Sequence, residues 1–89
     1  MSTWKEFRKE LNIPEDEEKI IELEKNLILS MVAIREKQGL SQAELADMCN
    51  VKQPAIARLE KMQHSPQVDS LLRVLIPLGY TLQIVPIEK

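Results

Sequence analysis

Lys52, Gln53, Ala55 and Arg58 carry the chemistry this chain can offer. They would give one short helix a face bearing an ammonium group, a carboxamide, a methyl group and a guanidinium group. A carboxamide can form a bidentate pair with adenine, a small methyl suits the methyl of thymine, and a guanidinium can reach guanine or a phosphate. That is the chemistry of reading DNA rather than of transforming a substrate. Ordinary solvated surface is the competing reading for Arg58 and for Lys61. Catalysis has no parts to work with: one histidine (His64), one cysteine (Cys49) and scattered carboxylates give no nucleophile–base set. Two glycines make no phosphate-cradling loop, and no histidine–cysteine spacing suits a metal, so neither enzyme activity nor a cofactor is expected.

The elements that must position these side chains lie between Ser41 and Lys61. Ser41 precedes an apolar-periodic run and Glu44 follows three residues later, the pattern of a capping box. Ala43, Leu45, Ala46 and Met48 give the helix so started a small-residue apolar side. Cys49-Asn50-Val51 breaks it, with Asn50 suited to a left-handed corner. Pro54 falls in the first turn of a second helix, where a missing N–H does no harm. Ile56 and Leu59 then face inward and leave Lys52, Gln53, Ala55 and Arg58 outside. Ala46 permits close approach at a steep angle. The pattern predicts a helix-turn-helix, whose second helix enters the major groove.

Two such short helices need a larger support. Upstream, Glu15 to Glu18 complement the positive end of a long helix running to about Gln38, stopped by Gly39. The alternative reading is an acidic patch for a basic partner. Its apolar residues run from Ile20 to Ile34 in a stripe wider than one contact requires, and a bend or division is expected about Asn26. Downstream, Ser65 or Pro66 is expected to open a helix through Leu78, with Val68, Leu71, Leu72, Leu75 and Leu78 inward and Gly79 as its stop. Tyr80 to Val85 alternates as a half-buried strand closed by Pro86. Nothing else reads as strand, so its edges call for a strand from another molecule, with Tyr80, Leu82 and Ile84 as dimerisation residues. At the other end, Trp4, Phe7 and Leu11 form a stripe at i, i+3, i+7 on a helix ending at Asn12-Ile13-Pro14. Packing onto its own domain and binding a partner both remain open for that stripe.

The run Gly39-Leu40-Ser41-Gln42-Ala43-Glu44-Leu45-Ala46, followed by Val51-x-Gln53-Pro54-x-Ile56-x-Arg58-Leu59-Glu60, closely resembles the Xre family, the phage-repressor type of helix-turn-helix. The likeness covers about Ile34 to Gly79. It implies a mainly α, five-helix lambda-repressor-like domain over residues 15–79, here with an N-terminal helical extension (1–14) and one C-terminal β-strand (80–89). It also implies that Ser41 and Gln42 meet phosphate, that Lys52, Gln53, Ala55 and Arg58 meet bases or backbone, and that Lys61, Gln63 and His64 lie along the backbone. Arg35 and Glu60 resemble a recurrent structural salt bridge of that family. Met62 departs from the pattern, which has glycine there; methionine in the left-handed region costs about 1 kcal/mol, so a reshaped exit is expected.

The whole architecture, with its acidic extension and Leu-Gly-Tyr-Thr-Leu-Gln-Ile-Val tail, further resembles the host-inhibition-of-growth antitoxins. That resemblance implies a homodimer that binds a palindromic operator, represses its own operon and neutralises a RelE-like ribonuclease toxin, with Trp4, Phe7 and Leu11 as toxin contacts. The alternatives are a free-standing phage or plasmid repressor, and a toxin-binding inhibitor that keeps the helix-turn-helix only as scaffold.

Net charge fits this unevenly. The chain carries −2 overall; residues 1–30 hold five Lys and Arg against eight Asp and Glu, and residues 31–66 hold five against four. The acidity is N-terminal, and the helix-turn-helix half is weakly basic, which predicts moderate non-specific DNA affinity that dimerisation would strengthen. A charged N-terminus without an apolar core is no signal peptide. No apolar run reaches the length of a membrane span, and a lone cysteine suits a reducing cytoplasm.

Overall fold

The computed structural model describes residues 16–87, so the predicted helix around Trp4, Phe7 and Leu11 lies outside the described residues. Four helices follow one another: α1 (Asp16–Lys37), α2 (Gln42–Cys49), α3 (Gln53–Lys61) and α4 (Val68–Leu78). α1 is continuous over 22 residues. No proline or glycine interrupts it, and Asn26 alone is too weak a breaker to divide it. The described residues therefore hold four helices rather than five.

The core is aliphatic and drawn from all four helices. Ile28 and Met31 of α1 meet Leu45 and Ala46 of α2, Ile56 of α3, and Leu71, Val74, Leu75 and Leu78 of α4. Each large side chain removed from water here contributes about 1.5–3 kcal/mol. Ala46 is 2% exposed, and its small size sets the distance at which α2 and α3 cross. Met48, by contrast, is left largely exposed.

Backbone geometry at the turns follows from single residues. Gly39 adopts φ +72°, and the Leu40 N–H donates back to the Arg35 carbonyl at 3.1 Å, turning the chain from α1 into α2. Asn50 takes φ 58°, ψ 41°, and its N–H closes on the Ala46 and Asp47 carbonyls. Met62 takes φ 56°, ψ 39° at the end of α3. The exit is thus not reshaped: methionine accepts the left-handed strain, and its partly buried side chain packs on the core in return.

α4 starts at Val68, later than the sequence suggested, because Gln67 is its N-cap and Ser65 and Pro66 stay in the loop. Val68 is consequently 63% exposed instead of inward. Gly79 (φ +94°) ends α4, and Gln38 Nε2 donates to the Leu78 carbonyl at 3.0 Å, tying the far ends of α1 and α4.

No strand forms at residues 80–87, and none is present among the described residues. A strand is defined by a ladder partner, and a single copy supplies none. Leu82 packs on the core, whereas Tyr80 and Ile84 project outward, Ile84 completely. No described helix is long and apolar enough to cross a membrane.

Candidate nucleic-acid interface

α3 presents a polar face because Ile56 anchors it. With Ile56 buried and Leu59 half-buried, Lys52, Gln53, Pro54, Ala55, Arg58 and Lys61 are all exposed on the other side. Lys52 is the N-cap of α3 and Pro54 falls in its first turn. Gln53 therefore projects from the helix start, where recognition helices meet base edges. Arg58 Nε lies 3.4 Å from the Pro54 carbonyl one turn back, a long contact that leaves the guanidinium available.

At the start of α2, Ser41 Oγ accepts from the Glu44 N–H and the Ser41 N–H donates to Glu44 Oε1, both at 3.0 Å. These bonds hold the Glu44 carboxyl below its ordinary range. The Ser41 N–H is the larger cause and the Ser41 hydroxyl, donating to the same carboxylate, the smaller, so Ser41 is engaged with Glu44 at the exposed start of α2.

Behind the exposed face runs one continuous polar relay. Arg35 donates from Nε to Glu60 Oε2 at 2.7 Å and from Nη2 to Glu60 Oε1 at 3.1 Å, with Nη1 on the Leu40 carbonyl at 2.8 Å. Hydrogen bonding to Glu60 raises the already high pKa of Arg35. Gln42 Nε2 donates to Glu60 Oε1 at 2.9 Å, and Gln53 Nε2 donates to Gln42 Oε1 at 2.8 Å. A carboxylate only accepts, so Glu60 dictates which way the Gln42 amide faces, and Gln42 in turn dictates the orientation of Gln53. One Gln53 N–H and its Oε1 remain for a base, the pair that adenine requires. The relay also hides the negative charge of Glu60, so Lys52, Arg58 and Lys61 set the sign of this face.

Gln42 was expected to touch backbone alone, and the relay adds a second duty. Gln42→Ala should weaken binding to every DNA sequence and also blunt the preference at the base pair facing Gln53. Competition binding against single-base operator variants checks this; a uniform loss with unchanged preference would separate Gln42 from readout.

Gln63 and His64 are exposed in the loop after α3. His64 shares a groove of about 440 Å³ with Ala55, Arg58, Ser70 and Arg73. Arg73 was not singled out from the sequence, since it sits on α4 away from the motif. The fold brings this exposed cation to the same groove as Arg58, widening the positive face. Cys49 is half-buried and its thiol is pushed up by desolvation, so it behaves as a small hydrophobe. Among the described residues no cluster of ligands could hold a metal.

Comparison with known proteins agrees with this geometry. Residues 31–85 match the family model described as Helix-turn-helix. An uncharacterised HTH-type transcriptional regulator of Haemophilus influenzae is 43% identical over 87 residues, spanning 98% of this chain and 88% of that protein. A solved chain from a toxin–antitoxin module of Streptococcus pneumoniae superposes with a TM-score of 0.66 at 39% identity, covering 99% of this chain and 96% of that one.

Proposed function

The chain belongs to the helix-turn-helix family, and from that premise we propose that it is a DNA-binding antitoxin, without enzymatic activity, that represses its own operon and neutralises a RelE-like ribonuclease toxin in the cytoplasm. The observation that carries the reading is the breadth of the likeness to the Streptococcus pneumoniae toxin–antitoxin chain. It covers 99% of this chain and so extends well beyond the motif at residues 31–85. The likeness therefore includes the acidic N-terminal third, which lies outside the residues matched to the helix-turn-helix family.

In this reading the division of labour follows the charge. Lys52, Gln53, Ala55 and Arg58 read the major groove, Ser41, Gln42, Lys61, Gln63 and His64 hold the backbone, and a two-fold dimer matches a palindromic operator. The N-terminal third, with Trp4, Phe7 and Leu11, contacts the basic toxin. Acidic residues there suit such a partner and stay clear of the phosphates.

Arg58→Ala should weaken operator binding by about 1–3 kcal/mol, or roughly fivefold to 150-fold, with the melting temperature nearly unchanged because the side chain is exposed. Operator titration beside thermal melting measures both. The antitoxin assignment itself is tested by co-expression with the neighbouring gene's product. A stable complex that suppresses RNA cleavage is expected. Operator binding without any complex would leave a free-standing repressor, and a complex without operator binding would leave a pure inhibitor.

A further inference from the structure

A groove of about 440 Å³ runs between α3 and α4. Its walls are two helical stripes. Ala55 and Arg58, three residues apart, share one face of α3, and Ser70 and Arg73, at the same spacing, share one face of α4. Ile56, Leu59 and Val74 give the groove an apolar floor, and His64 comes to it from the connecting loop.

Charge in this groove is one-sided. Two guanidinium groups line it and no carboxylate among the described residues does, in a chain whose net charge is −2. Arg73 and His64 have no hydrogen-bond or ion-pair partner among the described residues, and Arg58 has only the long contact to the Pro54 carbonyl. Two such cations at one groove repel each other until an anion lies near both.

Position selects the anion. Ala55 and Arg58 belong both to the outer face of α3 and to the groove wall. A recognition helix about 10–12 Å across fills a major groove about 12 Å wide, so sugar–phosphate backbone runs along its flanks. Ser41 and Gln42 stand at the start of α2, outside the α3–α4 groove. The flank of α3 that faces α4 is left to the groove itself. A backbone strand alternates an anionic phosphodiester with a largely apolar sugar, which matches cationic walls over an apolar floor.

We infer that the α3–α4 groove is a seat for one stretch of DNA backbone, with a phosphodiester held by Arg73 and His64 and the adjoining sugar against Leu59. Arg58, relieved of that phosphate, stays on the bases. Arg73 therefore supplies affinity without sequence preference and fixes how α3 lies in the groove of the DNA. The inference rests on the reading of α3 as the recognition helix, and it brings α4 into the interface.

The test is binding of the full-length protein to the DNA upstream of its gene and to unrelated DNA, across a salt series. Arg73→Gln should weaken both about fivefold at 0.15 M salt and lower the slope of log affinity against log salt by about 1, with the ratio between the two DNAs unchanged. Arg73→Lys should restore most of the slope, because a point charge still reaches phosphate. Lys19→Gln makes the same charge change on α1, outside the groove, and should leave the slope alone. Ethylation of one phosphate of the upstream DNA should weaken binding of the wild type but not of Arg73→Gln. Unchanged affinity and slope in Arg73→Gln, with the wild type still preferring the upstream DNA, would overturn the seat and leave α3 as the reader. A loss confined to the upstream DNA would make Arg73 a base contact and overturn it equally. An equal loss in Lys19→Gln would reduce the effect to net charge. A wild type that binds neither DNA would sink the reading of α3 itself, and the seat with it.

Discussion

Arg35→Ala is expected to lower the unfolding free energy by about 3 kcal/mol, a large share of the stability of so small a domain. Arg35 and Glu60 expose only 13% and 8% of their side chains. The pair is therefore shielded from water far better than a surface ion pair, which is worth about 1 kcal/mol or less. Removing Arg35 leaves the Glu60 carboxylate in that site with only the Gln42 amide, and it strips the Leu40 carbonyl of its donor as well. Glu60→Ala should also destabilise the fold, and it should further free Gln42 and loosen Gln53. The double variant should lose less than the sum of the singles, and denaturant titration of all four proteins reads that coupling. Strict additivity would mean that the short distances carry no energy. One difference between the singles tests the relay: Glu60→Ala should reduce base preference at the Gln53 position even where the domain is folded.

The second large effect concerns the tail. Ile84 is fully exposed and Tyr80 half exposed, while Leu82 is committed to the core of its own chain. An outward apolar edge with unpaired backbone groups suits the same edge of a second copy across a two-fold axis, which would also set two recognition helices about 34 Å apart. Deleting residues 80–89 should therefore yield a monomer, and operator affinity should fall by about 10²–10⁴ because each half-site then binds alone. Ile84→Asp should reproduce this without touching the core, since the side chain makes no internal contact to lose. Light scattering and operator titration on both proteins read the two effects. A dimer that survives both changes would move the interface to the exposed apolar residues of α1.

The parts of this fold that could be read from the sequence are those that local chemistry determines. Ser41 and Glu44 satisfy each other's backbone over three residues, and Asn50 tolerates the left-handed corner, so both are visible without tertiary context. Ile56 and the outward position of Gln53 and Arg58 follow from helical spacing alone. The Arg35–Glu60 contact spans 25 residues and was legible only through family resemblance. The Gln42–Gln53 bond depends on the crossing of α2 and α3, which spacing does not encode. Val68 read as core because its spacing from Leu71 and Leu72 is right, yet it sits at the first helical position, where the chain is still arriving from the loop. The tail was misread as a formed strand because alternation reports a preference for a half-buried sheet, while the sheet itself requires a partner.

Everything proposed for this protein's function depends on the outer face of α3 reading a particular DNA sequence. Its most direct test is binding of the purified full-length protein to the DNA upstream of its own gene, against unrelated DNA of equal length at one fixed physiological salt concentration. The upstream DNA should bind at least about 10³-fold more tightly, and Arg58→Ala should erode this ratio more than it weakens non-specific binding. Equal affinity for both DNAs, unchanged in Arg58→Ala, would contradict it.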